Sequence, residues 1–361
     1  MEQRARHPYY MHDAILAQPE RVAAVLEESR EAIARAADAA ASRQRLIFTG
    51  IGTSLHAAQV AGYFLRLLSA GGIRAEIEHS FELLHYPPRL DAQDAVIGIS
   101  HGGKNFTADA LALARRAGAA TVGVASREAS EDLSDVEFAI PTCEQEISNA
   151  HTKSYTTALA ALAALAIGIA ERRGVLADGG ASTAVADLPA RLRDALGCEA
   201  VARAAARDLA RRNRWLLIGS GPNWPTASEG ALKAKEACYI AAEGFETEQF
   251  LHGPLAEADA RAALVAIFAG GPGDARAVQA LRAAGELGVL RVIVAARGAA
   301  PGAPAEHRIE VPAVAEWISP IVQVVPLQFF AYFAALERRA NPDTGREDQP
   351  GHARARTHYE S

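Results

Sequence analysis

The chain has 361 residues, of which 50% are hydrophobic and 22% are charged, a composition typical of a soluble globular protein long enough for two domains. A formal net charge of −6 argues against a nucleic-acid-binding protein, but it permits a small anionic ligand held at a local positive site. The cysteines, Cys143, Cys198 and Cys238, are far apart, which predicts neither a disulfide framework nor a zinc site.

Membrane segments and targeting signals are not predicted. Residues 1–20 contain no apolar core of the kind found in secretory signals. The longest apolar run, residues 156–170, is shorter than the ~20 residues that a membrane span requires, so we interpret it as a buried helix. The expected location is the cytoplasm, with no membrane partner and no nucleic-acid partner.

Strand and helix patterns alternate along the first half. Residues 21–41 have helical periodicity, and residues 46–49 form a short apolar strand followed by a glycine turn and an amphipathic helix. Two further short strands, a helix ending at a glycine and another strand ("ATVGVAS") follow in turn. This alternation predicts an α/β fold in which helices flank both faces of a parallel sheet.

The second half repeats this pattern. A Gly/Ala/Ser-rich segment, residues 174–189, is interpreted as a linker. After it, "RWLLIGSGPNWPTASEGALKAKEACYIAA" gives strand, Gly-Ser-Gly turn and helix again, as in a divergent second copy of one unit. The predicted organisation is a helical lead-in (1–44), a first α/β domain (45–175), a second (190–340) and a polar C-terminal tail (341–361), which is either mobile or ordered over a site.

Three loops of the first domain are candidates for binding a phosphate. They read "GIGTS" (50–54), "SHGGKNFT" (100–107) and "SNAHTKSYT" (148–156), and each follows a predicted strand and precedes a helix. Such loops meet at the carboxyl edge of a parallel sheet, where free N–H groups at helix starts attract anions. The last two loops hold Lys104 and Lys153, two of the four lysines in a chain that otherwise uses arginine.

A plainer interpretation is that these glycines and serines only build turns and cap helices. Three such loops in one domain, two of them with a rare lysine, favour the phosphate site. The pattern is neither G-x-G-x-x-G nor a P-loop motif, which argues against a dinucleotide site and a P-loop nucleotidase.

The other two lysines lie in "EGALKAKEACYI". On a helix, Glu229, Lys233 and Glu236 share one face at i, i+4 and i+7, whereas Lys235 points away. An ordinary surface ion pair would give the same spacing. However, this helix follows a glycine turn at a sheet edge, and "LHGP" with His252 follows 16 residues after Glu236. A carboxylate and an imidazole are suited to proton transfer near neutral pH.

These motifs carry a family resemblance. "GIGTS", "SHGG…T", "AHTKSYT", "EGALKAKEACYIAAE", "HGPL" and "PLQFFAY" occur in the order in which they occur in tandem SIS (sugar isomerase) proteins. Among these the chain resembles the isomerase half of glucosamine-6-phosphate synthase over nearly its whole length. The resemblance implies an enzyme of amino-sugar metabolism that acts on a hexose 6-phosphate such as fructose 6-phosphate or glucosamine 6-phosphate, with no cofactor and no metal.

The resemblance also assigns roles to residues. The substrate-binding residues carried over, or lying in the same loops, are Thr53, Ser54, Ser100, His101, Gly102, Gly103, Lys104, Thr107, Asn149 and Ala150; the role of His101 stays open, since a capping or core histidine is equally consistent. Glu236 is implied as the base that moves a proton between C1 and C2, with Lys233 hydrogen-bonded nearby. His252 is implied to assist ring opening from a second subunit, which predicts a homodimer with a shared active site.

The sequence departs from the family pattern at three places. No glutaminase domain with its cysteine nucleophile precedes the lead-in, so we expect no glutamine hydrolysis. The loop at 100–107 is longer than the usual Ser-x-Ser-Gly-x-Thr. No lysine follows Lys235, so the imine that a C-terminal lysine forms in the synthase is in doubt; Arg354 and Arg356 cannot replace it because arginine stays protonated.

Three activities remain open from the sequence. The first is an enzyme that isomerises, aminates or deaminates a sugar phosphate. The second is a deglycase that acts on amine–sugar phosphate conjugates. The third is a sugar-phosphate sensor without catalytic activity. The presence of both Glu236 and His252 favours an enzyme, because a sensor does not need an acid–base pair.

Overall fold

The computed structural model describes residues 4–103, 106–132 and 136–358. The first half of the chain contains, in order, α1 (Tyr10–Leu16), α2 (Gln18–Glu28), α3 (Arg30–Ala41), β1 (Arg45–Gly50), α4 (Thr53–Leu68), β2 (Ala75–His79), α5 (Ser80–His85), β3 (Asp94–Ile99), α6 (Phe106–Arg116), β4 (Ala120–Ala125), α7 (Arg127–Asp132), β5 (Phe138–Pro141) and α8 (Lys153–Arg172). The helix predicted at 21–41 is split at Ser29, whose hydroxyl donates to the carbonyl of Pro141 at 2.6 Å and so ties the break to strand β5.

The second half contains α9 (Ala181–Ala186), α10 (Leu188–Leu196), α11 (Glu199–Leu209), β6 (Arg214–Gly219), α12 (Asn223–Lys233), a π-helical turn (Ala234–Cys238), β7 (Ala241–Glu246), α13 (Thr247–Leu251), a 3₁₀ turn (Pro254–Glu257), β8 (Ala262–Phe268), α14 (Asp274–Glu286), β9 (Leu290–Ala296), β10 (His307–Val311), a second 3₁₀ turn (Glu316–Ile318), α15 (Ser319–Glu337) and α16 (Pro350–Arg356).

The strands form two five-stranded parallel sheets of the same topology. The first has the order β2-β1-β3-β4-β5 and the second β7-β6-β8-β9-β10. The central strands are buried along almost their whole length, as expected of sheets covered on both faces. The predicted α/β fold with two copies of one unit is therefore confirmed.

A glycine ends the first strand of each unit, and the helix that follows begins in contact with it. A Cβ atom on Gly50 would lie 2.5 Å from the carbonyl carbon of Ser54, and one on Gly219 would lie 2.1 Å from the carbonyl oxygen of Asn223. Only glycine allows this close approach. The contact brings the first turn of α4, and likewise of α12, to the carboxyl edge of its sheet.

Two helices, Lys153–Arg172 and Glu316–Glu337, are long and apolar enough to cross a membrane by length and composition. The most apolar 18-residue stretches of these helices are 89% and 100% buried inside the protein, which identifies them as core helices. The buried helix predicted at residues 156–170 is confirmed. The predicted linker is wrong in detail: α9 lies within it, and Ala181, Val185 and Leu188 pack into the core.

Candidate active site

Strand order reverses between β1 and β3 of the first sheet, the position at which ligands bind in sheets of this topology. Thr53 and Ser54 begin α4 just after β1, preceded by Gly52 with a positive φ of 57°. The turn after β3 is closed by a hydrogen bond of 3.1 Å from the N–H of Gly103 to the carbonyl of Ser100. The structure therefore brings these two predicted loops to the same place.

Helix α12 of the second unit packs against α4 of the first, and the contact contains a buried ion cluster. Lys233 Nζ lies 3.3 Å from Glu229 Oε1, donates to Thr53 Oγ1 at 3.2 Å and is hydrogen-bonded to Glu236. Glu229 also accepts from Thr53 at 3.1 Å and pairs with His56 Nδ1 at 2.7 Å. The predicted Glu229–Lys233–Glu236 face is thus an internal cluster, not a surface pair.

Electrostatics holds this cluster in its charged form. Burial disfavours the ammonium of Lys233, but Glu229 and Glu236 outweigh burial and keep its pKa above the ordinary value. Burial likewise opposes ionisation of Glu229, yet Lys233, His56 and Thr53 hold the pKa of its carboxyl below the ordinary value. The site therefore contains a buried positive charge on Lys233, paired with the charged carboxyl group of Glu229 at neutral pH.

Glu236 is the member of the cluster that reaches open space. Its side chain is 30% exposed, whereas that of Lys233 is 1% exposed. It lies on the π-helical turn, a feature that often marks functional sites, and the turn ends at Tyr239, which has a left-handed φ of 56°. Glu236 also lines an open groove between this turn and tail residues Arg346 and His352.

A cavity lies next to the cluster on the first-domain side. The polar residues in its lining are Thr53, Ser54, His101, Thr142, His151, Ser154 and Tyr155. Thr53 belongs to both the cavity and the ion cluster, so the two share a wall.

Two imidazoles face each other in this cavity. The rings of His101 and His151 meet edge to face with centroids 4.9 Å apart. Burial, with a contribution from His151, lowers the pKa of His101 to about 4, and burial also lowers the pKa of His151. Both rings are therefore neutral at pH 7 and act as hydrogen-bonding groups rather than as cations.

Comparison with known proteins settles the family. The SIS domain profile matches residues 40–168 and again residues 208–338. The chain belongs to the SIS domain family. The tandem SIS arrangement inferred from the motifs is confirmed, and the two matches coincide with the two sheets.

Relatives of this SIS protein include the glutamine–fructose-6-phosphate aminotransferases (isomerizing) of Thermococcus kodakarensis, 33% identical over 96% of the chain, and of Pseudomonas putida, 32% identical over 86%. The chain spans 58% and 52% of the length of these two relatives. The C-terminal domain of glucosamine-fructose-6-phosphate aminotransferase from Francisella tularensis has the same fold, with a TM-score of 0.86 at 22% identity over 94% of this chain and 99% of that one. The glucosamine-6-phosphate deaminase of Thermotoga maritima, with a TM-score of 0.74 at 19% identity over 92% of this chain and 96% of that one, also shares the fold.

The third predicted phosphate loop of the first SIS domain, residues 148–156, differs from the prediction. The carboxylate of Glu146 accepts the N–H groups of Thr152 and Ser154 at 2.8 Å each, and Lys153 is paired with Glu144. The first turn of α8 is thus capped by the protein's own carboxylate, and its lysine is neutralised. At this helix start, the carboxylate of Glu146 takes the N–H groups that a phosphate would need.

Asn149 and Ala150 lie in this loop beneath the tail. The N–H of Asn149 donates to the carbonyl of Asp343 at 3.0 Å, and its side-chain amide donates to Glu347 at 3.2 Å. Ala150 is buried. The carboxylate of Asp343 accepts two N–H groups at the start of α1. Residues 343–347 are therefore held against the loop, which favours the ordered alternative for the tail.

The remaining predicted residues have different surroundings. Thr107 is buried, and its hydroxyl bonds to that of Ser80 at 2.9 Å. Lys104 lies outside the described residues. Gly102 borders open space, since a Cβ atom there would contact nothing within 4 Å. His252 is 69% exposed and hydrogen-bonded to Glu248 at 2.9 Å, so within one chain it does not join the Glu236 cluster.

The second SIS domain fills its equivalent loop with carboxylates. Asp274 accepts the N–H of Gly270 at 3.0 Å, and Glu316 lies so close to Gly271 that a Cβ atom there would be 1.9 Å from its carboxylate. Burial raises the pKa of Asp274 and that of Glu316. An anion would be repelled here, which distinguishes this loop from the one in the first domain.

Sequence reasoning missed His56, His151, Ser154 and Tyr155. His56 follows Thr53 by three residues, so both side chains lie on one face of α4 and both reach Glu229. That spacing could have predicted His56 as a site residue. The other three lie within a motif quoted for its lysine and threonines, and nothing in their spacing distinguishes a buried pocket wall from a helix cap.

Proposed function

We propose that this SIS chain is an enzyme that binds a hexose 6-phosphate in its first domain and moves a proton between C1 and C2 of the open-chain sugar with Glu236. One observation carries the proposal. Lys233 Nζ is hydrogen-bonded both to Thr53, at the start of α4, and to Glu236. This single ammonium group thus links the loop suited to a phosphate with the carboxylate suited to proton transfer.

The start of α4 and the turn after β3 are the proposed phosphate site. Thr53 and Ser54 supply N–H groups and hydroxyls at a helix start, where the dipole favours an anion. The turn at Ser100–Gly103 offers further backbone donors beside open space at Gly102. The third loop and the second domain have carboxylates in the equivalent places, which leaves these two loops as the anion site.

Glu236 and Lys233 are suited to the proton transfer. On a ketose, Glu236 takes a proton from C1, the electrons form the C1–C2 double bond, and the C2 oxygen gains negative charge. The Lys233 ammonium stabilises that charge, and return of the proton to C2, with proton movement between the two oxygens, gives the aldose. Glu229 touches neither carbon in this scheme; it positions Lys233 and keeps it protonated.

Amino-sugar phosphates fit the same machinery, because deamination and amination at C2 pass through the equivalent enamine. The relatives named above are aminotransferases, and a deaminase shares the fold. Residues 236–361 contain no lysine that could form a tail imine. We propose that free ammonia is taken up or released in any reaction of this chain that changes the C2 nitrogen.

His252 joins the proposal through a partner subunit. It is exposed, it directly follows α13, and its Nε2 is hydrogen-bonded to Glu248 and not to the cluster of its own chain. We propose a homodimer in which this imidazole assists ring opening in the neighbouring site, and a cytoplasmic location for the enzyme.

The direct test is a substrate panel in D₂O followed by NMR: fructose 6-phosphate, glucose 6-phosphate and glucosamine 6-phosphate, each with and without ammonia. The expected result is interconversion, or deuterium incorporation at C1 or C2, for at least one of them. Fructose and glucose without phosphate are the controls and should react far more slowly. Binding without exchange for every sugar phosphate would support a sensor and contradict the enzyme.

The dimer is tested by mixing. Glu236→Gln and His252→Ala variants are each expected to be inactive alone, whereas heterodimers combining them restore one intact site. No recovery in verified heterodimers would contradict a shared active site.

A further inference from the structure

Three buried polar atoms without a hydrogen-bond partner belong to residues that line the cavity beside the ion cluster. They are His101 Nδ1, Ser154 Oγ and Tyr155 Oη. Ser154 is 4% exposed and Tyr155 is 1% exposed. An unsatisfied buried polar atom is costly, and most folded proteins contain only a few of them. Three around one cavity indicate that a ligand supplies their partners.

The hydrogen-bonding character of each group can be assigned. His101 Nε2 accepts the N–H of Glu146 at 3.0 Å, so the proton of the neutral ring is on Nδ1. Nδ1 is therefore a donor. The hydroxyls of Ser154 and Tyr155 can each donate or accept. The ligand group must accept from His101 and can both accept from and donate to the two hydroxyls.

The rest of the wall is uncharged, and apart from Thr53, Ser54, Thr142 and His151 it is apolar. Five small or branched aliphatic side chains contribute to it: Ala57, Ile99, Val124, Ala125 and Ala158. None of the described residues that line the cavity is charged at neutral pH, and burial and the nearby carboxylate of Glu229 together raise the pKa of Tyr155. An ammonium group placed here would face the N–H of His101.

We propose that this cavity receives the acetamido group of a 2-acetamido-2-deoxyhexose 6-phosphate. The carbonyl oxygen accepts from His101 Nδ1 and one hydroxyl, the amide N–H donates to the other hydroxyl, and the methyl group lies against the aliphatic wall. A hydroxyl group could satisfy the polar atoms but would leave the aliphatic wall uncovered. Because Thr53 is shared with the Glu236 cluster, a substituent at C2 lies next to the proposed base.

This inference rests on the proposed sugar-phosphate site, and the test separates the two. Binding of glucose 6-phosphate, glucosamine 6-phosphate and N-acetylglucosamine 6-phosphate is measured by calorimetry, with phosphate-free N-acetylglucosamine as the control. The acetamido sugar phosphate is expected to bind at least about tenfold more tightly than the other two, as two or three net hydrogen bonds would give. If no sugar phosphate binds, the proposed function fails. If all three bind equally, only the acetamido pocket fails, and the cavity holds water.

Variants that remove one hydroxyl sharpen the test. Tyr155→Phe and Ser154→Ala should each weaken the acetamido sugar phosphate about three- to tenfold and leave glucose 6-phosphate nearly unchanged. Tyr63→Phe makes the same change on α4 outside the cavity and should alter neither affinity. A variant that weakens both ligands equally would contradict the assignment.

Discussion

Replacing Glu229 by glutamine tests the buried ion cluster, because it removes a charge with almost no change in shape. Lys233 is fully buried and would keep only Glu236, which is partly exposed, as its charged partner. Removing one partner of a buried pair typically costs about 3–5 kcal/mol, because an uncompensated charge remains inside the protein. We expect Glu229→Gln to lower the free energy of unfolding by about 3 kcal/mol, the low end of that range.

The assay is urea unfolding followed by tryptophan fluorescence at pH 7. The double variant Glu229→Gln/Lys233→Met should lose less than the sum of the two single variants, since it leaves no orphan ammonium. Glu257→Gln is the matched control: its pair with Arg214 is 2.7 Å long but more than 40% exposed on both sides, so its loss should be below about 1 kcal/mol. Equal losses for Glu229→Gln and Glu257→Gln, or additive effects in the double variant, would refute the buried cluster.

Two further predictions concern the turn after β3. Gly103→Ala should destabilise the protein by at least about 1–2 kcal/mol, because φ is +62° and the new Cβ would lie 2.7 Å from that of Ala129, whereas Gly102→Ala should be nearly neutral; equal unfolding midpoints would contradict the geometry. Folding lowers the pKa of His101 from 6.5 to about 4. As the pH falls, the unfolded chain therefore binds a proton at His101 before the folded chain does. The free energy of unfolding is thus retained above pH 6.5 and decreases as the pH drops toward 4. Relative to His101→Gln, wild type should lose about 3 kcal/mol over that window, and parallel stability–pH curves would contradict it.

Much of the fold follows from local sequence. The apolar strands, the glycine turns after β1 and β6 and the long apolar helices are encoded by residues close together in the chain, and the structure confirms them. The spacing of Glu229, Lys233 and Glu236 also predicted that their side chains would meet. The burial of that cluster was not predictable, because it depends on α4 packing against α12 from the other SIS domain.

The site is harder to predict where contacts from outside a residue's own helix decide its role. Lys153 looks like a phosphate ligand in the sequence, but Glu144 and Glu146, several residues upstream, pair with it and cap its helix. Ser154 and Tyr155 look like helix residues, yet the structure leaves their hydroxyls without partners in a cavity. Whether His252 reaches a neighbouring site depends on a subunit contact that one chain's sequence pattern does not describe.

The central claim is that Glu236 moves a proton on a sugar whose phosphate is held in the first SIS domain. Its most direct test is the rate at which C1 and C2 hydrogens of a bound hexose 6-phosphate exchange with D₂O, measured by NMR in wild type, Glu236→Gln and the exposed control Glu243→Gln. The account predicts a loss of about 10²–10⁴-fold for Glu236→Gln with sugar-phosphate binding retained, and no loss for the control. Undiminished exchange in Glu236→Gln would contradict it.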